Sequence, residues 1–377
     1  MRSGALHVNN KKQHQKQTVC FVAQHVYPVL NPTKSNFIGG AEVQQVLLAK
    51  EFLQNGFNIE FVTQDYGQDD IEFIKGFKVI KTFNPDRGVP VLRFFYPRLT
   101  GIWSALKKSS ADIFYVRSAG FILAVVVCFA QLSHKKVVYC GADDRDFDLE
   151  KLRLPTFRDK VMYVFGLKKA NAIIVQNNTQ KKLLTKNFRK NGMKIYNGLP
   201  ANKEELARGD AILWVANIRE KKQPKLFLEL VKRFPHEQFV MIGGKSVHED
   251  YLYQTVLTEA DKLPNLTFKG FLPLEQVEEE FKRAKIFVST SKSEGFPNTF
   301  LQAWRLGIPV ASFVDPDDVI KNHRLGLVAK SFSQLERNLQ TLLSGKSFSR
   351  HHIKKIFTEK FDIAVRAKEY EKVFNQL

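Results

Sequence analysis

Residues 289–309 read S-T-S-K-S-E-G-F-P-N-T-F-L-Q-A-W-R-L-G-I-P. The run A-K-I-F-V at 284–288 stands just before them and has the apolar character of a buried parallel strand. Ser, Gly and Pro then crowd 289–297, which marks a loop. From Asn298 onward Phe300, Leu301, Trp304 and Leu306 recur at near-helical spacing. Gly307 stops that helix, and 308–313 begins the next strand. A strand, a tight loop and a helix start in this order aim free backbone N–H groups and a partial positive charge at one point above the loop. That is an anion site, and phosphate is its usual occupant. Glu294 lies in the loop and Gln302 eight positions later, one turn into the helix. A polar pair so placed can hold sugar hydroxyls beside a diphosphate.

The same strand–loop–helix grammar recurs along the chain. Strands are expected at 18–24, 58–63, 112–116, 136–139 and 172–176 in the first half, with 194–199 leading toward the second. Further strands are expected at 211–216, 238–244, 265–271 and 308–313. Gly39 and Gly40 open an amphipathic helix that runs to Leu53, another glycine-marked helix start. Their pattern is not G-x-G-x-x-G, so a dinucleotide site has little support there. The loop C-G-A-D-D-R-D-F-D at 140–148 follows a strand, on the side where α/β folds place ligands. Gly243 ends the strand Q-F-V-M-I-G-G, which lets a ligand approach backbone. Phe271, after N-L-T-F-K-G, reads as core rather than as a ring beside a bound base. With 377 residues, the chain has room for two ordinary domains.

The run E-G-F-P-N-x-x-L-Q-A-W-x-x-G-x-P-V resembles the donor-site signature of glycosyltransferase family 4, the group 1 transferases used in cell-surface polysaccharide synthesis. That resemblance implies the GT-B fold: α/β, with two Rossmann-like domains whose parallel sheets face a central cleft. It divides the chain into a disordered basic tail (1–17), an acceptor domain (18–200), a nucleotide-sugar donor domain (201–350) and a C-terminal helix (351–377) that packs back toward the first domain, with a polar linker at 200–210. It also implies transfer of a hexosyl-type sugar from a UDP- or GDP-sugar to a glycan or lipid-linked acceptor, with retained configuration and with neither cofactor nor metal. In the family motif a second Glu stands where this chain has Gln302, which can still bond ribose hydroxyls as a neutral group. An Arg is usual at Asn217 and a Lys five residues later. Here Lys222 is present and Arg219 is the substitute for the missing Arg, so these two form the expected diphosphate clamp. Glu294 is then expected to hold the donor sugar. Gly295, Phe296, Pro297, Asn298, Thr299 and Gln302 surround the nucleotide, with Gly39, Gly40, Asn217 and Gly243 across the cleft. Many relatives carry a His that contacts the donor sugar near the acidic loop; this loop has none, so Asp143 or Asp144 is expected to take that space and bind the acceptor, the alternative being a solvated acidic loop. D-x-D at 144–146 matches a metal motif that belongs to a different transferase fold. A nucleotide-sugar epimerase and a degenerate binding protein are the competing readings, the second favoured by Gln302, Asn217 and the charge.

Net charge is +20, of which residues 1–200 carry +15. A surplus on that scale suits an anionic membrane, a phosphorylated acceptor or nucleic acid. No helix-turn-helix pattern, zinc spacing or RNA-binding aromatic motif accompanies it, which argues against nucleic acid. The cluster R-F-F-Y-P-R at 93–98, followed by Lys107 and Lys108, combines rings with cations in the manner of a headgroup-level contact. The expectation is a cytoplasmic protein, peripheral on the inner face of the membrane, with a solvated basic surface and core aromatics as the plain alternative. The apolar run 118–133 is too short to span a bilayer and reads as a core helix. Residues 1–17 are polar and basic, without the apolar centre of a secretory signal. Cys20, Cys128 and Cys140 sit singly in apolar runs and read as buried free thiols of a reducing compartment.

Overall fold

The computed structural model describes residues 17–31, 39–89, 92–202, 204, 209–246, 249–345 and 348–377. The tail expected at 1–17, apart from Gln17, and positions 203 and 205–208 of the expected linker lie outside the described residues.

The first sheet contains β1 (Thr18–Val22), β2 (Asn58–Thr63), β3 (Ile71–Ile74), β4 (Phe77–Lys81), β5 (Ile113–Arg117), β6 (Lys136–Cys140), β7 (Ala172–Val175) and β8 (Met193–Lys194). Their spatial order is β3-β4-β2-β1-β5-β6-β7-β8. The second contains β9 (Ala211–Val215), β10 (Phe239–Ile242), β11 (Leu266–Phe268), β12 (Ala284–Ser289), β13 (Val310–Ser312) and β14 (Gly326–Val328), ordered β11-β10-β9-β12-β13-β14. Every pairing is parallel except β3 with β4. In both sheets the order reverses beside the first strand, which opens a crevice at the strands' C-terminal ends.

Two differences from the expected strands have local causes. β3 and β4 form a hairpin around Lys75 (φ +53°) and Gly76 (φ +86°), the positive-φ pair of a two-residue turn. β3 is a short edge strand with Ile71 and Phe73 exposed, so it lacks the buried apolar run of the central strands, while β4 lies inside it with Phe77, Val79 and Ile80 buried. The strand expected over 194–199 survives only as Met193–Lys194, because the chain turns there toward the second domain.

Side-chain alternation divides the first core into two layers. Cys20 and Val22 face the helices Thr100–Lys107 and Ile122–Leu132, whereas Val19 and Phe21 face the helices Gly40–Gln54 and Ile363–Phe374. The helix Arg350–Phe361 packs under Asn298–Arg305 in the second domain, with Trp304 and Phe361 rings 5.5 Å apart. The chain breaks at Asp362, whose side chain caps the Ala364 N–H, and crosses to the first domain. There Phe374 meets Phe52 and Phe57 at 5.2 and 6.4 Å. Each buried ring is worth roughly 1.5–3 kcal/mol, so the last helix is firmly held on the first domain.

Candidate active site

The motif loop is positioned by both domains. From its own side, Trp214 Nε1 donates to Thr290 Oγ1 (2.9 Å), Thr290 Oγ1 donates to the Lys222 carbonyl (2.7 Å), and the Lys292 N–H donates to the Lys221 carbonyl (2.9 Å). These bonds lay 290–297 against 217–223 and bring Lys222 Nζ into an ion pair with the Glu294 carboxylate, whose side chain is 13% exposed. Two of the three expected catalytic groups therefore meet. The third does not join them: Arg219 Nε donates to Ser246 Oγ at 3.0 Å.

From the first domain, Asn177 Nδ2 donates to the Gly295 carbonyl and Asn197 Nδ2 to the Phe296 carbonyl, each at 2.9 Å. Asn298 returns the contact by donating to the Gly40 carbonyl at 2.9 Å. Asn197 Oδ1 accepts from Arg117 (2.8 Å) and Gln176 (3.1 Å), which locks its amide orientation. Phe296 turns its ring inward, 4.6 Å from Tyr196 and 5.5 Å from Phe361, so only its backbone faces the site. Asp317, in a turn of the second domain, accepts from Lys194 Nζ, Tyr196 OH and the Asn178 N–H at 2.7–2.8 Å.

The acidic loop lies on the same seam. Asp143 pairs with Arg145 at 3.0 Å and with Lys221 of the second domain at 2.7 Å. Burial alone would raise its carboxyl, but these two cations outweigh it and hold it well below the usual range. Asp144 accepts from Asn177 at 2.9 Å, and burial pushes its carboxyl up. Asp146 turns into the protein, accepts the Ala142 and Asp143 N–H groups, and is raised to about 6 by burial. Both Asp143 and Asp144 are thus engaged in protein contacts at the edge of the cleft.

Between the domains lies a cavity of about 400 Å³. Gly39 and Gly40 contribute the start of the helix Gly40–Gln54, and Asn298 and Thr299 the start of the helix Asn298–Arg305. Neither helix start is capped by a side chain, so two sets of first-turn N–H groups converge on one space. Buried Gln302 and half-buried Asn217 line the wall, together with Gly243. A Cβ at Gly243 would stand 2.2 Å from the Ala216 carbonyl, so only glycine fits. Phe271 corrects the expectation of a core ring: it is 37% exposed and lines this cavity. Arg305, paired with Glu278 at 3.1 Å, also lines it. Lys222, Glu294 and Arg219 stand beside the cavity rather than in its lining. The seam asparagines Asn177 and Asn197 were not among the expected site residues; the N-G turn at 197–198 was the one visible signal for the second.

Two parallel α/β domains sharing one cleft at their strand ends define a transferase architecture of the GT-B class. The description "Glycosyl transferases group 1" matches residues 201–358, and "Glycosyltransferase Family 4" matches residues 38–203. The chain belongs to this family, the group 1 glycosyltransferases of family 4. Solved structures similar to it include sucrose-phosphate synthase from Thermosynechococcus elongatus (TM-score 0.75, 15% identity, covering 96% of this chain and 99% of that one). Anabaena HepE, solved with UDP and glucose, is similar at TM-score 0.72 and 13% identity, over 96% of this chain and 100% of its own. The catalytic domain of starch synthase IV from Arabidopsis thaliana, bound to ADP and acarbose, gives 0.70 and 13%, over 96% and 99%. At these identities the likeness shows the fold. No curated protein matches the sequence.

Proposed function

We propose that the protein moves a hexosyl-type sugar from a UDP- or GDP-sugar to a glycan or lipid-linked acceptor, with retention of configuration and no metal ion. The observation that carries this reading is the convergence of two uncapped helix starts on one interdomain cavity, with the Lys222–Glu294 pair beside it. A diphosphate seated against Thr299 and Gly40 meets backbone N–H groups from both domains. Gln302 faces the ribose, and Asn217 stands where the family's clamp arginine is usual. As the glycosidic bond breaks, negative charge builds on the leaving phosphate. Lys222, the N–H groups around 296–299, and Arg219 once released from Ser246 stabilise that charge. Glu294 holds the sugar hydroxyls. The departing phosphate takes the acceptor proton on the same face, so no separate base is assigned. Gln302 and Asn217 alter the donor contacts without removing the clamp.

Among the described residues no helix is long and apolar enough to cross a membrane. The reading places the protein in the cytoplasm, peripherally on the inner membrane face through its first domain. Phe95 and Tyr96 support this, being 62% and 71% exposed beside Arg93 and Arg98. Phe94 corrects the expectation for that cluster: it is buried, with the Arg158 guanidinium 3.3 Å over its ring.

The test is turnover of a panel of UDP- and GDP-sugars with and without envelope lipid, in the presence of EDTA. Acceptor-dependent release of nucleoside diphosphate is the expected result. Release without any acceptor points to an epimerase, binding without turnover to a degenerate binding protein, and full loss with EDTA to a metal at Asp144 and Asp146.

A further inference from the structure

The first domain has a second concavity, away from the donor cleft, of about 770 Å³. It lies over the core layer opposite the last helix. The helix Ile122–Leu132 forms its floor through Val125 and Cys128. The helix Thr100–Lys107 forms one wall with Trp103, and the helix Phe157–Lys169 the other with Val161 and Phe165. Floor and second wall touch closely, since a Cβ on Gly166 would stand 2.7 Å from the Ala124 nitrogen.

What surrounds the groove is apolar and exposed. Phe157, Val161 and Phe165 recur every fourth residue along one helical face and are 81%, 51% and 41% exposed. Leu132 ends the floor helix at 74% exposure. A continuous patch on this scale marks an interaction surface, since monomers normally scatter such residues singly.

The charge around it fits one kind of occupant. Lys107 lines the groove, Lys168 and Lys169 end its second wall, and Arg93 and Arg98 follow on the 92–99 segment. Of the acids on neighbouring segments, Asp159 pairs with Arg158, Asp112 with Lys135, and Asp70 with Lys81 and Lys108. A second copy of this chain would set like charge against like charge. An anionic lipid surface would complement the rim and fill the groove. The floor and second-wall helices begin after β5 and β6, at the strand ends that border the donor cleft, so one end of the groove opens on the edge where an acceptor would enter.

We propose that this groove takes a fatty acyl chain of an anionic phospholipid and so seats the first domain on the membrane, a site that rests on the membrane-associated reading above and gives it a specific anchor. Two residues report on it directly. Of the three tryptophans, Trp214 and Trp304 are buried, so Trp103 is the one at the groove. Of the three cysteines, Cys20 and Cys140 are buried, so Cys128 is the accessible thiol.

The test mixes the full chain with phosphatidylglycerol vesicles carrying brominated acyl chains. The emission share of one tryptophan in three should be quenched, and Cys128 alkylation by N-ethylmaleimide should slow. Trp103→Phe should abolish the quenching while co-sedimentation persists. Cys128→Phe, which fills the floor, should weaken co-sedimentation and leave affinity for UDP and GDP unchanged. Sedimentation with anionic vesicles without Trp103 quenching overturns the groove and leaves docking in place. No sedimentation overturns both, while donor turnover still stands or falls independently. Lipid-free, concentration-dependent protection of Cys128 together with a dimer in light scattering assigns the groove to a second copy and also overturns it.

Discussion

Lys222→Ala and Glu294→Gln are expected to move the affinity for a bare nucleoside diphosphate in opposite directions. Without ligand, Lys222 is paired with Glu294, both side chains being largely shielded at 24% and 13% exposure. A diphosphate that takes Lys222 must first displace that carboxylate. A charge-assisted bond from lysine to phosphate contributes roughly 1.5–3 kcal/mol. The competing pair holds about 0.5–1 kcal/mol, the upper part of the range for pairs with some solvent access. Loss of Lys222 removes the phosphate bond and leaves Glu294 uncompensated beside it. At 1.4 kcal/mol per tenfold, Lys222→Ala should weaken UDP or GDP by about 10- to 100-fold. Glu294→Gln removes the competitor and should tighten the same ligands by about 2- to 5-fold. Sugar transfer should nevertheless fall in Glu294→Gln, because the sugar hydroxyls lose their carboxylate in the transition state. Titration calorimetry at fixed ionic strength measures both single variants and the double variant, which should bind better than Lys222→Ala alone. If Glu294→Gln binds UDP and GDP more weakly than the parent, the exchange of partners at Lys222 is refuted.

Two further outcomes follow from the seam. Gly295→Ala would bring a Cβ to 3.0 Å from the Ala142 carbonyl and from Gln176 Oε1; it should cost about 1–3 kcal/mol by overpacking and reduce turnover, and an unchanged thermal midpoint would show that the motif loop is not clamped by the first domain. Asp146, raised by burial from an ordinary 3.8 to about 6, favours the folded state while protonated. That advantage is complete below pH 4 and is lost as pH rises through 6, a swing of about 3 kcal/mol. Asp146→Asn keeps an oxygen for the two backbone N–H groups, so the variant should gain on the parent between pH 4 and 7.5 in paired melting curves; a constant difference would contradict the assignment.

The parts of the fold that were legible in the sequence are those written in local pattern. Central strands such as A-I-L-W-V, and K-V-V-Y-C after its first residue, are apolar because helices cover both faces. The helix boundaries at Gly39 and Gly307 carry chemistry that any reader of turns and caps can use. The hairpin around Lys75 and Gly76 escaped because its strands are only 4 and 5 residues long and charged residues interrupt their apolar ones on both sides of the turn. Phe94 and Phe95 show the opposite limit: two adjacent rings in an irregular segment, one buried and one 62% exposed, with no periodicity to separate them.

At the site, the sequence could name residues but not their partners. Lys222 and Glu294 are 72 positions apart, and their pairing follows from where β9 and β12 lie as neighbours in the sheet, an order that no local pattern reveals. The seam asparagines were harder still. Asn177 has no special residue type or spacing, and Asn197 has only its N-G turn. They matter because each spends an amide N–H on a carbonyl of the motif loop about 100 positions away. The asparagines of the first domain therefore fix the backbone of the motif loop in the second. A change at Asn197 should reach the donor site without touching the donor. Asn197→Ala strands the Phe296 carbonyl and the amide of Gln176 in a buried seam, at about 1–3 kcal/mol for each unsatisfied group. Its effect should fall on turnover and on domain coupling together, read as a lowered thermal midpoint that UDP restores less than in the parent. A variant with normal turnover and normal UDP-dependent stabilisation would mean that the loop keeps its shape without the first domain.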